Sequence, residues 1–236
     1  MRILLNLNYL SEILPFFFCL FFFKKINSKE IKVFFVYKTL AVILLLISLA
    51  TQAKYSNLIL SIFLVQEFIL LSIMYSYIIE NLMVKKLIIF SIVLFAIYCI
   101  YAFSRVNIQK LYFDFTPAIV ESLFFIVVIV YYFYEIMRFN YATPLFQLPS
   151  FWISVAFVIF FSGTFFLLLY SKTMFNEPGF NVQYLIISCT LTIIKNVLLC
   201  VALFVNKNLI TYKDNNTLPS NLNLDTFQPL NKQTNF

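Results

Sequence analysis

Charged side chains inside hydrophobic stretches are the residues best suited to chemistry in this chain, and Lys195 is the clearest of them. It lies past the middle of the stretch 181–206, which is long enough to cross a bilayer. Ser188 and Thr192 precede it at helical spacing, so the three side chains share one polar stripe. Such a stripe should face other helices. We expect Glu67, at a similar depth in the third stretch, to be the partner of Lys195.

Two further glutamates lie within hydrophobic stretches: Glu12 near the middle of the first and Glu121 in the first third of the fifth. Three glutamates and one lysine cannot all stay ionised in a dry bundle, so at least one carboxyl must be protonated or reach water. We therefore predict a polar ligand-binding site inside the bundle. Its candidate residues are Glu67, Glu121, Lys195, Glu12, Ser162, Thr164, Thr192 and Asn196.

Several of the polar residues in these helices also have a purely structural interpretation. A Glu67–Lys195 ion pair could tie two helices together without binding anything. The segment Ser162-Gly163-Thr164 in the sixth stretch could be a packing notch that lets a neighbouring backbone approach closely. Glu135 and Arg138, three residues apart, are expected to form a surface pair.

Composition excludes several classes of function. The chain has no histidine and only two glycines, which argues against the usual metal and haem sites and against glycine-rich phosphate loops. No cofactor is expected. The net charge is +7, and the basic residues lie mostly in short loops between apolar runs. This pattern indicates membrane topology, so no nucleic-acid partner is predicted. A hydrolytic site would have to use carboxylates as its only catalytic groups, so an enzyme is the less favoured interpretation.

The fold class follows from the apolar runs. Hydrophobic residues make up 62% of the 236 residues and charged residues only 11%, far below the share in soluble domains. The sequence predicts an all-α polytopic membrane protein with a seven-helix bundle over residues 1–206. Residues 207–236, polar and rich in asparagine, are expected to form a mobile cytoplasmic tail. The predicted helices are about 3–23, 33–51, 58–80, 85–103, 116–137, 151–170 and 182–205.

Basic residues predict the orientation of this bundle. The first, third and fifth loops, together with the tail, hold most lysines and arginines, and we count Lys38 with them as a side chain that snorkels to the same surface. That side carries eleven basic residues against five on the other. The positive-inside rule therefore predicts an outside amino terminus and a cytoplasmic carboxyl terminus.

A lysine in the seventh helix and an acid in the third also occur in the retinal-binding rhodopsins. Microbial rhodopsins carry an aspartate four residues before that lysine, and this chain has Leu191 there. The arginine and tryptophan around their helix-three acid are missing as well. Retinal is therefore not expected.

Four helices carry segments that point to another class of protein: Gln66-Glu67-Phe68 with the following ILLS, Glu121-Ser122 through Tyr131-Tyr132, Phe151-Trp152-Ile153-Ser154 through Phe160-Phe161-Ser162-Gly163, and Ile194-Lys195-Asn196. In these segments the chain resembles a largely uncharacterised family of small bacterial seven-helix integral membrane proteins. The resemblance implies architecture over nearly the whole bundle more than it implies an activity. Some members are encoded near signalling proteins, which implies a sensor-like or receptor-like role.

Together these observations favour a binding module of the cell membrane, with a bacterial inner membrane as the expected location. A small-molecule or lipid ligand would enter the polar site, and a separate cytoplasmic partner would receive the signal, because the chain has no recognisable output domain. A small-molecule or lipid transporter and a carboxylate-dependent intramembrane hydrolase are the alternatives. Two glycines and an odd number of helices argue against a transporter built from inverted repeats.

Overall fold

The structure, a computed structural model, describes residues 2–22, 28–51, 56–104, 115–138, 145–174 and 179–215. These residues are helical apart from short connections, and no strand occurs among them. A short 3-10 turn, Leu145–Gln147, precedes the sixth helix. The seven helices are α1 (Arg2–Phe22), α2 (Lys29–Ala50), α3 (Ser56–Ile78), α4 (Leu82–Ser104), α5 (Thr116–Arg138), α6 (Pro149–Met174) and α7 (Phe180–Asn215).

Every predicted helix is present, and the ends differ by four residues or fewer except at the end of α7. Helix α2 begins at Lys29, four residues before the predicted start and directly after Ser28, whose backbone is extended; α6 ends at Met174, four residues beyond its predicted end. Helix α7 continues to Asn215, beyond the predicted end at 205. A helix satisfies its own backbone hydrogen bonds, so it can leave the membrane without stopping. The rest of the predicted tail, 216–236, lies outside the described residues.

All seven helices are long and apolar enough to cross a membrane. Their outward faces are strongly apolar: on α4, for example, Phe90, Val93 and Ile97 are all more than half exposed. Exposed apolar surface of this extent would be an aggregation liability in water and is the expected surface toward lipid. The chain is therefore an all-α bundle of membrane-spanning type.

The helices form a closed ring. Each packs against the next along the chain, α7 returns to pack against α1, and α3 also contacts α5. Consecutive helices joined by short connections alternate in direction, so the start of α1 and the start of α5 lie at the same end of the bundle. We call this end the amino-terminal face and the other the opposite face.

The contact between α6 and α7 is the most extensive in the bundle. Gly163 makes room in this contact for the Leu191 side chain, because a Cβ atom added there would lie 2.6 Å from both terminal methyl carbons of Leu191. The glycine leaves a notch, and the Leu191 side chain fills it. This supports the packing interpretation of the Ser162-Gly163-Thr164 segment.

Candidate functional site

Glu12, in the middle of α1, is the centre of a buried ionic cluster. Lys38 on α2 donates from Nζ to Glu12 Oε2 at 3.0 Å. Lys195 on α7 places its Nζ 3.6 Å from the other carboxylate oxygen, Oε1. One carboxylate therefore joins three helices, and only 19% of its side chain is exposed.

Lys38 does not snorkel to the surface, so that part of the sequence interpretation is wrong. Its side chain is fully buried, and its Nζ also donates to Asn196 Oδ1 at 2.8 Å. Because α2 begins at Lys29, Lys38 lies about 14 Å along the helix axis from its first residue, near the middle of the span. A lysine at that depth needs partners inside the bundle, and Glu12 and Asn196 supply them.

Asn196 extends the cluster back to α1. Its Nδ2 donates to Ser11 Oγ at 3.1 Å, and the Ser11 hydroxyl donates to the backbone carbonyl of Asn8 at 2.8 Å. Pro15 follows Ser11 by four residues and has no N–H, so it leaves the Ser11 carbonyl without its usual helical donor. The most polar part of α1 thus faces α2 and α7.

Glu67 has a different partner from the one predicted. The Tyr37 hydroxyl donates to Glu67 Oε1 at 2.7 Å, and Gln66 Nε2 donates to the Tyr37 carbonyl at 3.3 Å. The expected Glu67–Lys195 ion pair is wrong, because the carboxylate within ion-pair distance of Lys195 is that of Glu12. Glu67 and Lys195 still interact electrostatically, so they belong to one neighbourhood.

Glu121 is the remaining acid of the site. It is only 3% exposed, on α5, and its Oε1 has no hydrogen-bond partner in the described part of the chain. The carboxyl interacts electrostatically with Glu67 and Lys195. The structure therefore brings five of the eight predicted residues, Glu12, Glu67, Glu121, Lys195 and Asn196, into one polar region.

The three predicted hydroxyl residues lie outside this network. Thr164 donates to the Phe160 carbonyl at 2.8 Å and Thr192 to the Ser188 carbonyl at 3.0 Å, each within its own helix. No hydrogen bond among the described residues joins them, or Ser162, to the charged side chains. Helix α6 contributes an aromatic ring instead.

That ring is Phe160, whose centroid lies 3.9 Å from Lys195 Nζ. An ammonium over the face of an aromatic ring is attracted by the ring quadrupole, more strongly when water is excluded. Sequence reasoning missed Phe160, Tyr37 and Lys38. The two aromatic residues are indistinguishable from ordinary packing side chains in an apolar helix. Lys38 could have been found, because three buried acids and one lysine require a second cation.

A second polar cluster lies toward the opposite face. Glu135, near the end of α5, is buried and accepts the backbone N–H groups of Glu80 at 3.0 Å and Asn81 at 2.9 Å. It does not form the expected surface pair with Arg138; it binds the junction between α3 and α4. A cleft of about 320 Å³ opens beside it. Glu80, Asn81, Tyr131, Tyr134, Glu135 and Arg138 line this cleft.

The central cluster can bind charge and polar hydrogen-bonding groups. Its carboxyls and ammonium groups come from α1, α2, α3, α5 and α7, so the cluster connects five of the seven helices. The described residues contain no group of three or more His, Cys, Asp or Glu side chains that could hold a metal ion. No family model, curated protein or solved structure matches the chain.

Proposed function

We propose that this chain is a membrane-embedded binding module of sensor or receptor type, with its ligand site at the buried ionic cluster. The observation that carries this proposal is the Glu121 carboxyl, which is buried, interacts electrostatically with Glu67 and Lys195, and has one oxygen unpartnered. Four buried side-chain polar atoms of the described residues have no partner, and Glu121 Oε1 is the carboxyl oxygen among them, the kind of group that costs most free energy when it is buried unpaired. A ligand that supplies the missing partner would recover that cost.

The arrangement of α3 and α5 supports a signalling role. These two helices carry Glu67 and Glu121 in the site, and they contact each other directly. Toward the opposite face, Glu135 of α5 accepts two N–H groups at the end of α3. A change in the relative position of α3 and α5 at the site would therefore also change the shape of the cleft. A separate protein that binds this face would receive the signal.

The orientation of the bundle is part of the proposal. With Lys38 inside the bundle, ten basic residues remain on the side of the first, third and fifth loops, against five on the other. The amino-terminal face is then outside, the opposite face and its cleft are cytoplasmic, and the partner is a cytoplasmic protein. The resemblance to small bacterial seven-helix proteins fits a bacterial inner membrane.

Spin labels beside the cleft test the signalling role. Lys86 and Met137, both exposed, would carry labels in a chain whose four buried cysteines are replaced by serine. Glu67→Gln removes a charge at the site, and we expect it to shift the label-to-label distance distribution. Glu30→Gln, outside the site on α2, is the matched control and should leave the distribution unchanged. Identical distributions in the parent and Glu67→Gln would refute coupling between site and cleft.

Reporter fusions test the orientation. A reporter that is active only in the cytoplasm, fused after residue 215, should be active, and a tag before Arg2 should be labelled by a reagent that does not cross the membrane. Labelling at the carboxyl end with activity at the amino end would overturn the outside-to-inside assignment.

A further inference from the structure

The charge balance of the site is uneven. The central cluster holds three carboxyls, from Glu12, Glu67 and Glu121, and two ammonium groups, from Lys38 and Lys195, whereas the buried Glu135 belongs to the second cluster. If all five are ionised, one negative charge is left over. An unpaired carboxylate away from water is so costly that the site must acquire one positive charge.

Hydrogen bonding indicates where that charge is needed. Glu12 contacts both lysines, and Glu67 accepts the Tyr37 hydroxyl. Glu121 has a buried oxygen with no donor. The groups that interact electrostatically with it are Glu67 on α3, Lys195 on α7, Tyr37 on α2 and Cys99 on α4. Of these only Lys195 is a cation, and Glu12 already shares it.

The surroundings of Glu121 fit an ammonium group. Phe124 and Phe125 follow Glu121 by three and four residues and so lie on the same side of α5. Their rings pack with Phe68, next to Glu67, at centroid distances of 5.0 and 5.3 Å. The chain already holds one ammonium in this way, since Lys195 Nζ lies between the Glu12 carboxylate and the Phe160 ring.

Resting on the proposed function, we propose that the ligand of this site is a monovalent cation with an N–H or O–H donor, bound at Glu121. A proton on the carboxyl is the resting occupant, and an organic ammonium replaces it. On exchange the carboxyl O–H bond breaks, the proton leaves to water, and the ammonium N–H groups donate to the carboxylate. The proton forms a new O–H bond with water, no covalent bond forms between ligand and protein, and the net charge of the site stays constant. Glu121 lies about 8 Å from the start of α5, so the path to the amino-terminal face is short.

Infrared spectroscopy of the full chain in lipid nanodiscs tests the resting state. The C=O stretching band of a neutral carboxylic acid should be present, should shift in heavy water, and should be missing from Glu121→Gln. Glu30→Gln, half-exposed in the first turn of α2, is the control and should keep the band. No band in the parent, or an unchanged band in Glu121→Gln, would overturn the assignment. The parent spectrum is informative even if the variant fails to fold.

Two probes supply cations with N–H donors: ammonium chloride and benzylammonium chloride. Sodium chloride supplies a monovalent cation that lacks a donor. We expect an ammonium probe to remove the band and to release one proton per chain, read by a pH-indicator dye. Glu121→Gln should weaken binding of the probe by at least about tenfold, the loss of one charge-assisted hydrogen bond. A band that neither ammonium probe changes, or that sodium removes equally well, would overturn the proposed ligand class. Loss of the band without movement of the spin labels would instead refute only the signalling role.

Discussion

The double-mutant cycle between Glu12 and Lys38 tests the geometry of the site most directly. At an effective dielectric constant of about 20, the 3.0 Å contact corresponds to a gross attraction of about 5–6 kcal/mol, and the 3.6 Å contact between Glu12 and Lys195 to about 4–5 kcal/mol. Desolvation of the charges offsets much of this. Removing one partner nevertheless leaves the other buried and unpaired, which costs about 3–5 kcal/mol.

We therefore expect Glu12→Gln and Lys38→Met each to lower the free energy of unfolding by about 3 kcal/mol or more. The double variant should lose less than the sum of the two, with a coupling of about 2 kcal/mol or more. The cycle between Glu67 and Lys195 should give a smaller coupling, because Glu67 binds the Tyr37 hydroxyl and Lys195 lies against Glu12.

Unfolding in mixed micelles with increasing dodecyl sulfate, followed through the single tryptophan, Trp152, measures all of these variants. Glu30→Gln and Lys86→Met remove the same kinds of charge outside the cluster and should change stability by less than about 1 kcal/mol. If the Glu67–Lys195 coupling equals or exceeds that of Glu12–Lys38, the pairing described above is refuted, and the pairing expected from helix depth alone is supported.

Three further substitutions probe separate parts of the bundle by the same unfolding measurement. Tyr37→Phe removes the only hydrogen bond described for the Glu67 carboxylate and should cost about 1–3 kcal/mol; no loss would show that Glu67 does not need this donor. Glu135→Gln weakens two charge-assisted hydrogen bonds to the α3–α4 junction and should cost about 1.5–3 kcal/mol, with Arg138→Gln, exposed one turn further on, as the control. Gly163→Val should cost about 1–3 kcal/mol through overpacking, and a second change, Leu191→Ala, should restore part of it; no rescue would place the strain elsewhere.

The fold could be predicted from the sequence because its main signal is local. A bilayer requires about 20 consecutive apolar residues per helix, and seven such runs are separated by short polar segments. The end of α7 was less predictable. Beyond the apolar span Phe180–Val205, hydropathy no longer limits the helix, which continues to Asn215.

Three acids and one cation of the cluster, Glu12, Glu67, Glu121 and Lys195, could be identified from the sequence, since a charge in the middle of an apolar helix is rare. Their pairing could not. Glu12 and Glu67 lie at similar depths on helices that run in the same direction, so depth gives Lys195 two equivalent partners. Glu12 is the partner of Lys195 because α1 packs against α7 and closes the ring, a contact between helices at opposite ends of the sequence. A pattern within single helices carries no information about it.

Lys38 shows how one residue can change both the topology argument and the chemistry. Moving it from the surface into the bundle lowers the basic count of one side from eleven to ten, which leaves the predicted orientation intact. Inside the bundle it has a larger effect. With Lys195 alone, three acids would exceed the cations by two charges; with Lys38 the excess is one. A single excess charge requires a single monovalent cation, and the one buried carboxyl oxygen without a donor belongs, among the described residues, to Glu121. The burial of Lys38 therefore determines how many positive charges the site can accept.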